Sequence, residues 1–150
     1  MPPKKAAPAA PKEEAPPAQA TPEVEEVQEN KPEFGTGKFE YINQTIYMGD
    51  WKLLNGKKVK HGQGKITFPG AANQSFGAEE YDGAWVDDKM HGQGKYIFTS
   101  GAEYEGTWVD GQMHGHGKMV YPDGTLYEGN WEKNLMHGEG LYIDADKVTW

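Results

Sequence analysis

Tyr104-Glu105-Gly106-Thr107-Trp108-Val109-Asp110-Gly111-Gln112-Met113-His114-Gly115-His116-Gly117-Lys118 is the stretch on which the fold of this chain turns. Its two landmarks are Tyr-x-Gly-x-Trp and His-Gly-x-Gly. Both recur 23 residues away on either side, at Tyr81, Gly83 and Trp85 with His91, and at Tyr127, Gly129 and Trp131 with His137. Markers that step together at a fixed period identify one supersecondary unit copied in tandem. Such arrays supply surfaces more often than reactions.

The register reaches beyond the three regular copies. Tyr47, Gly49 and Trp51 are followed by His61, with a Tyr-to-His interval of 14 residues where the regular copies have 10. Four residues are therefore inserted, in the lysine-rich stretch 56–60, and seven more within 71–78. Phe34 lies 13 residues before Tyr47 and opens a half unit, 34–46; Trp150 lies 13 residues after His137, in the next tyrosine slot. Units thus start at 47, 81, 104 and 127, a new one begins at 150, and the array spans 34–150.

All 20 glycines, five tryptophans and eight tyrosines fall in 34–150, and eight of the ten prolines fall in 1–33. The Pro/Ala/Lys/Glu tail at 1–33 lacks the apolar groups needed to offset chain entropy, so a disordered or extended segment is expected. Thr21 as a cap, Pro22 at the first position, and Val24 and Val27 on one face give residues 21–27 the makings of one helical turn. No apolar core follows Lys4 and Lys5, so no signal peptide is expected, and the absence of cysteine suits a reducing compartment. A cytoplasmic protein is the expectation.

Within a unit the alternation has period two, which calls for strands. Tyr104, Gly106 and Trp108 share one face while Glu103, Glu105 and Thr107 take the other; Gly115, Gly117, Met119 and Tyr121 share a face in the second half. Thr99-Ser100-Gly101 and Pro122-Asp123-Gly124 read as tight turns with glycine at positive φ. Interior glycines weaken strands unless something approaches closely, so a neighbouring ring is expected over each. The fold class is all-β, a single-layer twisted antiparallel sheet of stacked β-hairpin repeats.

These phrases and their 23-residue step resemble the MORN repeat, and the segment Tyr104–Trp108 with Met113–Lys118 is closest to it. The resemblance implies a non-enzymatic protein. It further implies that small repeat-only chains of this make-up are structural proteins that dock partners in a cytoskeletal assembly, the axoneme of a cilium or flagellum above all. The residues carrying the repeat are Tyr47, Gly49, Trp51, Tyr81, Gly83, Trp85, Tyr104, Gly106, Trp108, Tyr127, Gly129 and Trp131, with His61, His91, His114 and His137.

Chemistry in the chain points the same way. Equivalent histidines in successive hairpins stand about 9–10 Å apart, whereas zinc ligands must lie about 2 Å from one ion. No metal, cofactor or catalytic residue is therefore assigned. The His-Gly-Gln-Gly-Lys runs lack the P-loop spacing and a helix terminus. Charge is uneven: residues 34–78 hold six lysines and two acids, net +4, while 79–150 hold five and fourteen, net −9. A basic patch at Lys52, Lys57, Lys58 and Lys60 makes peripheral binding of phosphoinositide membrane the alternative function, and the acidic half argues against nucleic acid. A single-layer sheet should leave its aromatic face and outer strands uncovered. Another protein of the assembly, or a second copy in a homodimer, is expected to cover them.

Overall fold

Among the described residues the alternation becomes nine strands: β1 Phe34–Glu40, β2 Ile46–Leu54, β3 Lys57–Phe68, β4 Glu79–Val86, β5 Lys89–Ile97, β6 Glu103–Val109, β7 Gln112–Val120, β8 Leu126–Glu132 and β9 Leu135–Ile143. They pair antiparallel in chain order as one open sheet. The computed structural model describes residues 33–70 and 77–146, and contains no helix among them. The tail reading, including the helical turn at 21–27, lies outside the described residues, as do most of the second insertion and Trp150.

Two kinds of turn connect the strands. Inside each unit the hairpin closes on two residues, both at positive φ: Asn55-Gly56 (51°, 75°), Asp87-Asp88 (49°, 68°), Asp110-Gly111 (49°, 81°) and Lys133-Asn134 (49°, 69°). This geometry matches the right-handed twist of the strands it joins. Between units, Gly101 and Gly124 take φ of 84° and 90°, in the turns where the sequence places them. There the N–H of Phe98 donates to Ala102 O at 2.8 Å and that of Tyr121 to Thr125 O at 2.8 Å. Asp123 Oδ1 accepts from the Thr125 N–H at 2.8 Å, an Asx turn that holds the corner.

Spacing puts the four-residue insertion in 56–60, but the structure divides it between two strands. Between the tryptophan pair and the turn, β2 and β3 make three pairs, Lys52↔Val59, Leu53↔Lys58 and Leu54↔Lys57, where β4 and β5 make one, Val86↔Lys89, so each strand carries two extra residues. A one-sided insertion of four residues would leave them unpaired in the turn or as a large bulge, with their backbone groups outside the ladder. Adding equally to both strands only lengthens the hairpin.

The glycines divide into two classes. Gly106 faces Gly117 and Trp108 faces Met113, so one residue of β6 opposes three of β7 and the strand bulges at His114-Gly115-His116. Gly115 takes φ 66° there, as do Gly62, Gly92 and Gly138 at the same bulge of the other units, with φ of 96°, 79° and 64°. The first glycine of His-Gly-x-Gly is thus required by backbone conformation, not by a ring above it. The second is steric: a Cβ on Gly117 would lie 2.5 Å from carbons of the Tyr104 ring.

This division predicts different responses. Gly115→Ala should cost about 1–2 kcal/mol, the strain of an L-residue in the left-handed region, and Gly115→Asn should recover part of it. Gly117→Ala should cost more, because overpacking against the buried Tyr104 ring leaves little room to relax, and Gly117→Asn should be worse still. Urea midpoints of the four variants check this, and parallel responses at the two positions would contradict it.

Candidate interaction surfaces

Each tyrosine lies along its own hairpin, over the second glycine of the paired strand, and reaches the backbone beyond. The hydroxyls of Tyr47, Tyr81, Tyr104 and Tyr127 donate to the carbonyls of Asp50, Ala84, Thr107 and Asn130 at 2.6, 2.9, 3.1 and 3.1 Å. Trp85, Trp108 and Trp131 each meet two tyrosines edge to face. Trp108 stands 5.2 Å from Tyr104 of its own unit and 5.4 Å from Tyr81 of the one before, and Trp85 and Trp131 repeat the arrangement. Their indole N–H groups donate to the carbonyls of Gly64, Gly94 and Gly117 at 2.8, 3.2 and 3.1 Å for Trp85, Trp108 and Trp131. A continuous ladder of rings runs from Tyr47 to Tyr127.

The ladder corrects one expectation. The aromatic face is not left open: Tyr81 and Tyr104 are 0% exposed and Trp108 is 3% exposed. Rings shield one another, and Phe68, Phe98 and Tyr121 from the ends of the second-half strands pack against them. Gly49, Gly83, Gly106 and Gly129 pair with Gly64, Gly94, Gly117 and Gly140, which lets the tyrosines lie flat. Trp51 is only half-buried, with the Lys58 ammonium 3.9 Å above its ring.

The basic hairpin is partly neutralised by the next unit. Lys52 Nζ pairs with Asp87 at 2.6 Å, and Lys60 Nζ with Asp88 at 2.8 Å. Asp88 also accepts from the Lys60 backbone N–H at 2.9 Å. The Lys52 hydrogen bond holds the Asp87 carboxyl below its ordinary range. Partial burial pushes Asp88 upward, but the bonds from Lys60 outweigh it and the net shift is down. Lys57 and Lys58 remain exposed at the hairpin tip, beside exposed Leu54. Turn residue 88 therefore clips one unit to the preceding one, and Asn134 does the same by accepting from Met113 N–H at 2.9 Å.

The histidines stand at the bulges. His61 Nδ1 lies 3.3 Å from Asp87, and His91 Nδ1 accepts from the Asp110 N–H at 3.5 Å. His61 and His91 are half-buried, whereas His114 and His137 are exposed. Among the described residues, no group of three or more His, Cys, Asp or Glu could hold a metal ion.

The opposite, polar face carries a row of alternating charge. Register aligns Lys65, Asp82, Lys95, Glu105, Lys118 and Glu128 across six successive strands. A shallow groove of about 460 Å³ runs along it between β5 and β8, lined by Gln93, Glu105, Thr107, His116, Lys118 and Glu128 among others. The MORN repeat model matches residues 56–70, 81–103, 104–126 and 127–149, more than half of the chain. The chain belongs to the MORN-repeat family. A search among curated proteins finds no match. MORN repeats are typically protein- or membrane-interaction modules and generally non-catalytic. For a MORN protein with its rings packed inside, the surfaces left to act among the described residues are the polar groove, the lengthened hairpin and the sheet edges.

Trp108→Ala should cost about 3–5 kcal/mol, as for a fully packed indole, and Tyr104→Phe about 1 kcal/mol for the hydroxyl bond. Denaturant titration of both checks this, and a loss below about 1 kcal/mol for Trp108 would remove the ladder's energetic role. Burial pushes the Tyr104 phenol up to about 12 and those of Tyr47 and Tyr81 higher still, from an ordinary value of 10.0. Above pH 10 the unfolded chain releases these protons while the folded sheet keeps them. Stability is therefore full below about pH 10 and falls as pH rises through the folded values. Urea midpoints at about pH 8 and about pH 11 check the sign.

Proposed function

We propose that this MORN protein is a non-enzymatic scaffold, docking partner proteins in a cytoskeletal assembly, with the ciliary or flagellar axoneme as its site. One observation carries the docking part. Among the described residues the polar face has no second layer, and its row of alternating charge presents a fixed register to whatever lies on it. Complementary patterns of this kind specify partners and orientation more than they add affinity. A rigid antiparallel sheet holds these charges at strand spacing, about 4.8 Å apart, so an approaching segment meets a template. The axonemal site rests on the family resemblance alone.

A second reading keeps the membrane as partner, and the lengthened β2–β3 hairpin favours it. Its tip combines exposed Leu54 with exposed Lys57 and Lys58, an apolar residue beside cations in reach of anionic lipid. Lys52 and Lys60 add little, since Asp87 and Asp88 already hold them.

Detergent extraction of ciliated cells expressing the tagged chain separates the two. Docking to a cytoskeleton leaves the chain in the insoluble fraction, and the double reversal Glu105→Lys with Lys118→Glu releases it. Membrane attachment instead yields release by detergent alone, with vesicle binding that weakens steeply as salt rises and disappears in Lys57→Glu with Lys58→Glu. That second pattern would displace the scaffold reading.

A further inference from the structure

Three of the two-residue hairpin turns are tied to the unit before them. The N–H of the second turn residue donates backward: Asp88 to Lys60 O at 3.0 Å, Gly111 to Met90 O at 2.9 Å and Asn134 to Met113 O at 3.1 Å. Each acceptor sits one residue before a histidine of the repeat, at His61, His91 and His114. Asn55-Gly56 breaks this rule. Its equivalent acceptor, Glu33 O just before Phe34, is used by the Leu53 N–H at 2.7 Å, because the two added residue pairs carry the turn past it. Among the described residues, neither the Gly56 N–H nor the Asn55 side-chain amide has a hydrogen-bond partner.

The tip also stands clear of both flanking strands. β1 pairs with β2 as far as Lys52, and β4 pairs with β3 only from Gly62. Asn55 and Gly56 are exposed, and nothing beyond its chain neighbours lies within 4 Å of where a Gly56 Cβ would be. A carboxamide and a main-chain nitrogen, both unbonded and adjacent in sequence, form a reactive pair. Glycine leaves the approach to its nitrogen open, and the positive charge of Lys57 and Lys58 next in sequence favours loss of the amide proton.

We propose that Asn55 is a site of spontaneous covalent modification, converted to aspartate and isoaspartate through a cyclic imide with Gly56. Hydroxide removes the Gly56 amide proton, and the nitrogen attacks Asn55 Cγ. A C–N bond forms, the side-chain amide bond breaks, and ammonia leaves with a proton from water, which regenerates hydroxide. Water then opens the imide. Attack at Cγ yields aspartate, and attack at the Asn55 main-chain carbonyl yields isoaspartate, with the chain rerouted through Cγ. One water is consumed and one ammonia released. Ring closure swings the peptide between the two residues out of its turn geometry, and at this tip that motion disturbs only the closing pair Leu54↔Lys57. Either product sets a carboxylate beside Lys57 and Lys58, so the basic tip loses positive charge irreversibly. Isoaspartate also lengthens the main chain of a turn that closes on two residues.

Asp110-Gly111 is the contrast within the same chain. Its turn has the same shape, but Gly111 cannot release its proton or swing without giving up the bond to Met90 O.

The test uses the full chain carrying Asp110→Asn, which puts the same dipeptide in both turns. Asparagine tolerates the φ of 49° there, and the residue 110 side chain is exposed, so an unchanged far-ultraviolet spectrum and thermal midpoint are expected. Incubation at mildly alkaline pH in heavy-oxygen water marks each conversion by one heavy oxygen, located by peptide mass mapping. In the folded chain, label should enter residue 55 about tenfold faster or more than residue 110, and the two rates should converge when guanidinium unfolds it. The Gly56 amide hydrogen should exchange faster than that of Gly111. Should the variant not fold, the unsubstituted chain, read at residue 55 folded against unfolded, decides the matter. Equal labelling of the two folded turns overturns the proposal. So does an unlabelled residue 55 after a time in which the unfolded chain converts fully, a Gly56 amide as protected as Gly111, or a rate difference that persists in guanidinium.

Discussion

Tyr104 lies over Gly117 and gives its hydroxyl proton to the Thr107 carbonyl, and most of the sheet follows from that contact. The ring can lie flat only if both partners in the Gly106↔Gly117 pair lack side chains. Lying flat, it offers an edge to the indole of its own unit and another to the indole of the next. The indole N–H in turn needs an acceptor, and the backbone of the preceding unit supplies it at Gly94. One steric requirement therefore converts a row of hairpins into a coupled array, in which each unit completes the core of its neighbour. A single layer can bury aromatic side chains in this way without a second sheet.

That economy moves function to other surfaces. Since the rings are used in holding units together, what faces outward is the charge row of the polar face, the tip of the β2–β3 hairpin and the outermost strand. The regular middle of the array sets spacing and stiffness. Its irregular members carry the individuality: a hairpin lengthened by two residue pairs at one end, and at the other a strand with Leu141 where earlier units have lysine.

Much of this was legible in the chain. The 23-residue step identifies the units, the alternation identifies strands, and Gly101 and Gly124 sit in the turns their composition calls for. The hairpin turns inside the units were also written there, as Asn55-Gly56 and Asp110-Gly111, though Asp87-Asp88 and Lys133-Asn134 disguise them. Other features were not readable. Gly115 and Gly117 look alike in sequence, and only the bulge separates the one held at positive φ from the one lying under a ring. Lys52 and Lys60 look like free cations until the next hairpin brings Asp87 and Asp88 beside them.

The sequence by itself determined the repeat, the strand alternation and the need for glycine opposite aromatic, because each depends on residues within one unit and on a period that can be counted. Tertiary structure decided which face is closed, how the insertion is shared between two strands, which lysines are neutralised and where the sheet stays open. Those outcomes arise between units, from pairs such as Trp85 with Gly64, 21 residues apart, and Lys60 with Asp88, 28 residues apart. Contacts at that separation exist only once the strands have stacked, so no local pattern could announce them.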